Sequence, residues 1–241
     1  MLEISSATNA LFKKFLSLTE SKGLKKEGLF LLSGKNLVEE FLKNPTLEIQ
    51  SEAYCEGQTP KCSVKLQIKL SKALFEELDI LGTHSPILVL KQPILSEWDF
   101  KTKEKGLKLL VPLGDPSNLG ALLRSAEAFG VKDVILLKES AHPFLPKSIK
   151  ASAGSITRLQ IWKGPSIQDL EIPNIIALDS KGESIAKFQW PSQSYLLIGE
   201  EGAGLPNLPC LKKISIPTQN VESLNATVAA SIALYDFRQK S

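Results

Sequence analysis

Apolar residues recur at helical spacing near the start of the chain, where Leu11, Phe12, Phe15, Leu16 and Leu18 predict an amphipathic helix over 10–18. A short apolar run over 29–32 predicts a strand. Ser33 or Gly34 then caps a helix whose inward face is Leu37, Val38, Phe41 and Leu42. Alternation over 64–68 predicts a half-buried strand, followed by a helix over 72–78 and a strand over 87–90. Residues 1–92 thus read as a small α/β domain. Pro93 and a polar, lysine-rich stretch make 93–106 the linker candidate.

From residue 107 the pattern is cleaner. A mostly apolar strand over 107–113 precedes a helix that opens at Pro116, runs to Phe129 and stops at Gly130; a strand over 134–137 follows. Such strand–helix–strand spacing predicts a buried parallel sheet, so 107–241 reads as a second α/β domain. Further strands are predicted over 159–162, 175–178, 195–198 and 214–216, and a last helix from about Ser223 to Arg238.

Composition narrows the class. The 241 residues, 43% apolar and 23% charged, can bury a sizeable core, which excludes general disorder. No apolar run approaches the roughly 20 residues of a membrane span. No basic region followed by an apolar stretch opens the chain, so no secretory signal is expected. Cys55, Cys62 and Cys210, an odd set without C-x-x-C spacing, argue against a disulfide framework and a zinc site, and favour a reducing cytoplasm. No other metal-ligand cluster stands out. The net charge of +3 is too small to announce a nucleic-acid binder, and Lys101, Lys103, Lys105 and Lys108 read as a solvated linker.

Three clusters in the second half carry candidate chemistry, each at a strand-to-helix or strand-to-loop junction, where open α/β sheets bind ligands. The first is Asp115-Pro-Ser-Asn-Leu-Gly-Ala-Leu-Leu-Arg124. Ser117 is its candidate N-cap, and Gly120 and Arg124 share a helix face. A helix-interior glycine costs about 1 kcal/mol against alanine, which suggests a close approach there. Arg124 is then either a fixed cation at that point or an exposed arginine paired with Glu127. The second cluster is Gly199-Glu-Glu-Gly-Ala-Gly204. Its glycines let a ligand approach the backbone, or simply make a surface turn. The spacing is not the dinucleotide fingerprint, and adjacent acids suit a cationic or neutral ligand better than phosphate. In the third, Ser223 and Asn225 open the last helix, as caps or as ligand contacts. That helix carries Ala226, Ala229, Ala230, Ser231 and Ala233, small residues that let another backbone pack close.

Taken in this order, the clusters resemble the three motifs of the SpoU (TrmH-like) RNA 2′-O-methyltransferases of the SPOUT superfamily. Asn118, Gly120 and Arg124 fit the first motif, and Gly199, Glu201, Gly202 and Gly204 the second. Ile216, Pro217, Glu222, Ser223, Leu224 and Asn225 fit the third. The resemblance runs from 107 to the C-terminus and extends loosely over 29–42 and 83–90, which look like the small substrate-binding domain of many members. Thr218-Gln219-Asn220 departs from the family's Met-x-Gly-x by one residue and lacks the glycine, and Glu200 stands where a smaller residue is usual.

The resemblance implies a parallel-sheet α/β domain with a C-terminal trefoil knot, preceded by the small α/β domain, and a homodimer formed through the C-terminal domain. It implies S-adenosylmethionine as cofactor, held by Gly199, Gly202, Gly204, Ile216 and Leu224, with no metal. Methyl transfer to a ribose 2′-hydroxyl of structured RNA, ribosomal in preference to transfer RNA, would fall to Arg124, Glu201, Ser223, Asn225 and Asn118. Arg124 would serve as base or as phosphate clamp, Glu201, Ser223 and Asn225 would orient it and the ribose, and Asn118 would steady the first motif. Two other classes stay open: a nucleotide-binding enzyme that uses the glycine loop for a phosphate-bearing cofactor, and an RNA-binding module without catalysis.

Overall fold

In the computed structural model, which describes residues 1–102, 105–199, 205, 208 and 211–240, the chain divides into two units. One contains Met1–Ile94 and His142–Thr157, the other Leu95–Ala141 and Arg158–Ser241.

The first unit opens with β1 (Leu2–Ile4), α1 (Ala10–Ser17) and α2 (Ser21–Glu27). Asn9 starts α1 by accepting hydrogen bonds from the backbone N–H groups of Leu11 and Phe12. Helix α2 has little apolar periodicity to announce it. It forms because Gly23 lets it press onto α1: a Cβ there would lie 1.9 Å from the Ser17 carbonyl oxygen. Next come β2 (Leu29–Leu32), α3 (Lys35–Lys43) capped by Gly34, and β3 (Ile49–Cys55). The unit continues through β4 (Gln67–Leu70), α4 (Lys72–Leu78) and β5 (Ile87–Lys91). The five strands form one mixed sheet in the order β1-β4-β3-β5-β2. Strand β3 escapes a hydrophobicity reading because it buries Ser51 and Glu52. The Glu52 carboxylate accepts from the backbone N–H groups of Lys61 and Cys62, at 2.5 and 3.2 Å, which satisfies the buried charge.

The second unit is built on a six-stranded sheet in which every pairing is parallel. Its strand β6 (Gly106–Val111) leads through α5 (Pro116–Ala128) to β7 (Asp133–Leu136). Asp115, rather than Ser117, caps α5 by accepting from the Asn118 N–H at 2.8 Å, and the missing N–H of Pro116 leaves one fewer donor to satisfy. The chain then forms α6 (Pro146–Ser152), which belongs to the first unit and packs there against β2, with Phe144 on Phe30 at 4.7 Å between ring centres. Four strands and a helix complete the second unit: β8 (Gln160–Lys163), β9 (Ile175–Ser184), β10 (Gln193–Leu197), β11 (Leu211–Ser215) and α7 (Ala226–Lys240). The sheet order is β11-β9-β10-β6-β7-β8, so the direction of winding reverses at the adjacent pair β6 and β10. Leu109, Leu110, Ile135, Ile176 and Leu197 fill its interior. A continuous apolar strand signature is what a sheet covered on both faces requires.

Two local expectations change. Lys108 is buried within β6 instead of solvated, and its ammonium donates to the Lys105 carbonyl at 3.3 Å. The stretch read as linker packs with the second unit from Leu95 onward: the Trp98 N–H donates to the Lys163 carbonyl, and its indole donates to the Tyr195 hydroxyl at 3.2 Å.

Strand β9 matters most for the site. Its pairing with β11 runs from Ile175 to Ala177, breaks, and resumes at Glu183, so residues 178–182 form an excursion at the carboxyl end of the first stretch. Gly182 closes the excursion against β11, where a Cβ would lie 2.5 Å from the Ile214 nitrogen and the Lys213 carbonyl carbon. Backbone on that side has no room to yield. Gly182→Ala is expected to lower unfolding free energy by about 2 kcal/mol, as overpacking does elsewhere, measured by urea unfolding. An unchanged midpoint would show that the excursion can move away from β11.

Candidate functional site

The excursion of β9, the end of β10 and the chain leaving β11 enclose a cavity of roughly 540 Å³. Leu178, Asp179 and Ser180 form one wall, Ile198 and Gly199 a second. Ile214, Ile216, Thr218 and the run 222–226 complete it, with Ala229 of α7. The place is the one expected of an open parallel sheet, outside the carboxyl ends of its strands.

Apolar branched side chains line the depth of the cavity while backbone and short polar groups lie among them. Ser215 Oγ donates to the Gly182 carbonyl at 2.9 Å, which ties the β9 excursion to the strand that leads into the cavity. Beyond Pro217 the shorter loop closes on itself, with Thr218 Oγ1 donating to the Val221 carbonyl at 3.0 Å. Asn220 there has φ +61°, the left-handed conformation that glycine favours and that asparagine tolerates better than most residues. The departure from the expected glycine is thus accommodated by conformation.

Asn225 joins this loop to the rest of the unit. Its Oδ1 accepts from the N–H groups of Thr227 and Val228, at 2.9 and 3.3 Å, and so caps α7, which begins at Ala226 rather than near Ser223. Its Nδ2 donates to Asn118 Oδ1 at 3.4 Å, and Thr227 Oγ1 donates to the Asn118 carbonyl at 3.0 Å. Further along, Ser231 meets Ser125 at 2.8 Å, and Ala230 and Ala233 are fully buried. The small residues of α7 therefore serve a close approach to α5 within one chain.

Arg124 is exposed on α5, and among the described residues no hydrogen bond or ion pair engages it. Glu127 is taken instead by Arg158, whose Nη2 donates to Glu127 Oε2 at 2.9 Å while Nε donates to Oε1. The pairing that would have made Arg124 a surface residue of no consequence is not formed. Of the other expected site residues, Gly199, Ile216, Ser223, Leu224 and Asn225 share the cavity, and Asn118 touches it through Asn225. Glu201, Gly202 and Gly204 lie outside the described residues.

Leu178, Asp179 and Ser180 were not anticipated. Their signal was available: they follow the apolar run 175–177 and precede a Lys-Gly pair, so they occupy the carboxyl end of a strand. Asp179 is paired with Lys213, Nζ to Oδ2 at 2.7 Å, and accepts from the Lys181 N–H at 2.9 Å. These donors hold its carboxyl below the usual carboxylate range, the Lys213 bond being the larger cause. Among the described residues no group of His, Cys, Asp or Glu is placed to hold a metal ion, and no helix is long and apolar enough to cross a membrane.

A family model described as the SpoU rRNA Methylase family matches residues 108–235. The chain is 38% identical over 246 residues to ribosomal RNA small subunit methyltransferase G 2 of Syntrophobacter fumaroxidans, across 97% of this chain and 48% of the relative, so it spans about half of that protein's length. It is 29% identical over 252 residues to the 23S rRNA (guanosine(2553)-2'-O)-methyltransferase RlmP of Bacillus subtilis, across 99% of this chain and 100% of that one. In structure it is similar to the SpoU methyltransferase AviRb of Streptomyces viridochromogenes, solved in complex with the cofactor AdoMet. The TM-score is 0.82 at 24% identity, covering 96% of this chain and 97% of AviRb, a likeness of fold.

The junction at Asn225 can be dissected. Asn225→Ala removes the cap and the bond to Asn118, and is expected to lower stability by about 1–2 kcal/mol. Asn225→Asp keeps the capping acceptor and loses the donor, so it should recover most of that loss. Equal destabilisation by both substitutions in denaturant melts would place the weight on the Asn118 contact rather than the cap.

Proposed function

From the premise that the chain belongs to the SpoU rRNA Methylase family, we propose that it transfers a methyl group from S-adenosylmethionine to a ribose 2′-hydroxyl of structured RNA. The observation that carries this reading is the cavity at the ends of β9, β10 and β11, where six residues of the second and third motifs meet and Asn225 links them to Asn118 of the first. Its size suits a nucleoside-sized ligand. Ile198, Ile214, Ile216 and Leu224 offer apolar walls for a flat purine, and Gly199 leaves its backbone groups open to the purine edge.

In this reading Gly199, Ile216 and Leu224, together with Gly202 and Gly204, hold the cofactor. When bound, S-adenosylmethionine supplies a sulfonium methyl group open to in-line displacement by a ribose oxygen. The chain's own residues align the nucleophile, whose proton would pass to solvent water as the new C–O bond forms and the C–S bond breaks. Arg124 clamps an RNA phosphate and polarises the 2′-hydroxyl by donating to it; a guanidinium with a pKa above about 12 is better suited to that than to accepting a proton. Ser223, Asn225 and Glu201 orient the arginine and the ribose, and Asn118 holds the opening of α5 in place. A 2′-hydroxyl is the group that distinguishes RNA from DNA at such a site. Ribosomal RNA is favoured over transfer RNA because both relatives described above are named for it, one for the small subunit and one for 23S. The first unit would select the RNA, and the bacterial relatives named for ribosomal RNA support a cytoplasmic setting. The trefoil knot belongs to the same reading.

A homodimer through the second unit is also part of it. Val228, Ile232 and Tyr235 lie exposed along one face of α7 at helical spacing, an apolar stripe suited to a second copy.

Calorimetric titration with S-adenosylmethionine, ATP and NAD tests the cofactor: only the first should bind, and binding of ATP or NAD alone would overturn the reading. Arg124→Ala is expected to cut methyl transfer at least about a hundredfold while cofactor affinity stays within a few-fold, since Arg124 acts on the RNA. Wild-type turnover in that variant would remove its catalytic role. Ile232→Lys is expected to weaken self-association at least about tenfold in sedimentation. A wild-type chain that sediments as a monomer at micromolar concentration with full activity would remove the dimer.

A further inference from the structure

We infer that the Asp179–Lys213 ion pair sets the charge preference of the cavity, so that it holds cationic S-adenosylmethionine in preference to the neutral S-adenosylhomocysteine left after transfer. The inference rests on the methyltransferase reading and adds to it a specificity role for two residues that lie outside its three motifs.

Among the described residues, the cavity wall carries the carboxylates of Asp179 and Glu222 and no cationic side chain. Asp179 is the more sheltered member of its pair, with a side chain 18% exposed against 44% for Lys213. Lys213 does not line the cavity. The negative end of the pair therefore faces the ligand space while its counter-charge sits towards solvent, where water screens it more strongly. Asp179 is also held rigidly: Lys213 grips Oδ2, the Lys181 N–H grips Oδ1, and Gly182 pins the excursion to β11. Its depressed pKa keeps the carboxylate charged at neutral pH.

Methyl transfer turns a sulfonium into a thioether, so the cofactor loses one positive charge while its shape changes by one methyl group. Shape alone separates two such ligands poorly. A fixed negative wall separates them by charge, because Coulomb energies grow as water is excluded. The same wall weakens the hold on the product once the charge is gone. Lys213 tempers the effect by drawing part of the field outward.

The test measures dissociation constants of both ligands by calorimetry, using the full chain and its variants Asp179→Asn, Lys213→Met and Lys213→Arg. Asp179→Asn should lower the preference for S-adenosylmethionine over S-adenosylhomocysteine about tenfold, through the cationic ligand. Lys213→Met should raise the preference about threefold, and Lys213→Arg should leave it as in wild type. These opposite signs are what a purely structural latch does not produce. If both ligands weaken together in Asp179→Asn and Lys213→Met with the ratio unchanged, the pair is only a latch and the proposal falls. Wild type that binds neither ligand would overturn the methyltransferase reading itself, and this proposal with it. Lys213 is on the surface, so its variants keep the test open even if Asp179→Asn unfolds.

Discussion

The hydrogen bonds that converge on Asn118 decide where the end of the chain sits. Asp115 holds its N–H, Thr227 reaches its carbonyl, and Asn225 reaches its side chain. Thr227 is buried, so breaking its bond would strand polar groups away from water at a cost of about 1–3 kcal/mol. The opening of α7 is thereby fixed against the opening of α5. Because the segment from Ile216 to Asn225 runs directly into α7, fixing the helix also places one side of the cavity.

The choice of partners among charged residues then determines what is available for chemistry. Surface ion pairs add little to stability, typically below about 1 kcal/mol, yet they decide which side chains are committed. Arg158 engages both oxygens of Glu127, and Arg124, one turn away on the same helix, stays exposed with no partner among the described residues. At the other wall, Lys213 engages Asp179 from the solvent side and leaves the carboxylate in the cavity lining.

Backbone conformation does the remaining work. Gly182 is required because two backbones approach too closely for any side chain, and that approach is what turns a strand end into a cavity wall. Asn220 solves a different problem, supplying a left-handed residue in a loop one residue shorter than the family's usual pattern. Neither position contributes a functional group, and both shape the space in which functional groups meet.

The parallel sheet was legible in the chain because its central strands are mostly apolar, and β6, β7 and β10 begin and end within a few residues of the predicted limits. Gly199 and the polar opening of α7, which the structure brings to one cavity, were legible too, through marks that need no neighbours: a glycine after an apolar strand and short polar residues before a helix. Helix α2, strand β3 and helix α6 were not: Gly23 against Ser17, buried Glu52 against the 61–62 backbone, and Phe144 on Phe30 are contacts between segments distant from, or invisible in, any local period. The same holds for the site. Sequence alone determined the candidate residues of the three clusters, because residue type and spacing are local properties. Only the tertiary structure decided that Asp115 and not Ser117 caps α5, that Glu127 belongs to Arg158, and that Asp179 lines the cavity, because each depends on which donor comes within about 3 Å of a given oxygen, and chain order does not encode that distance.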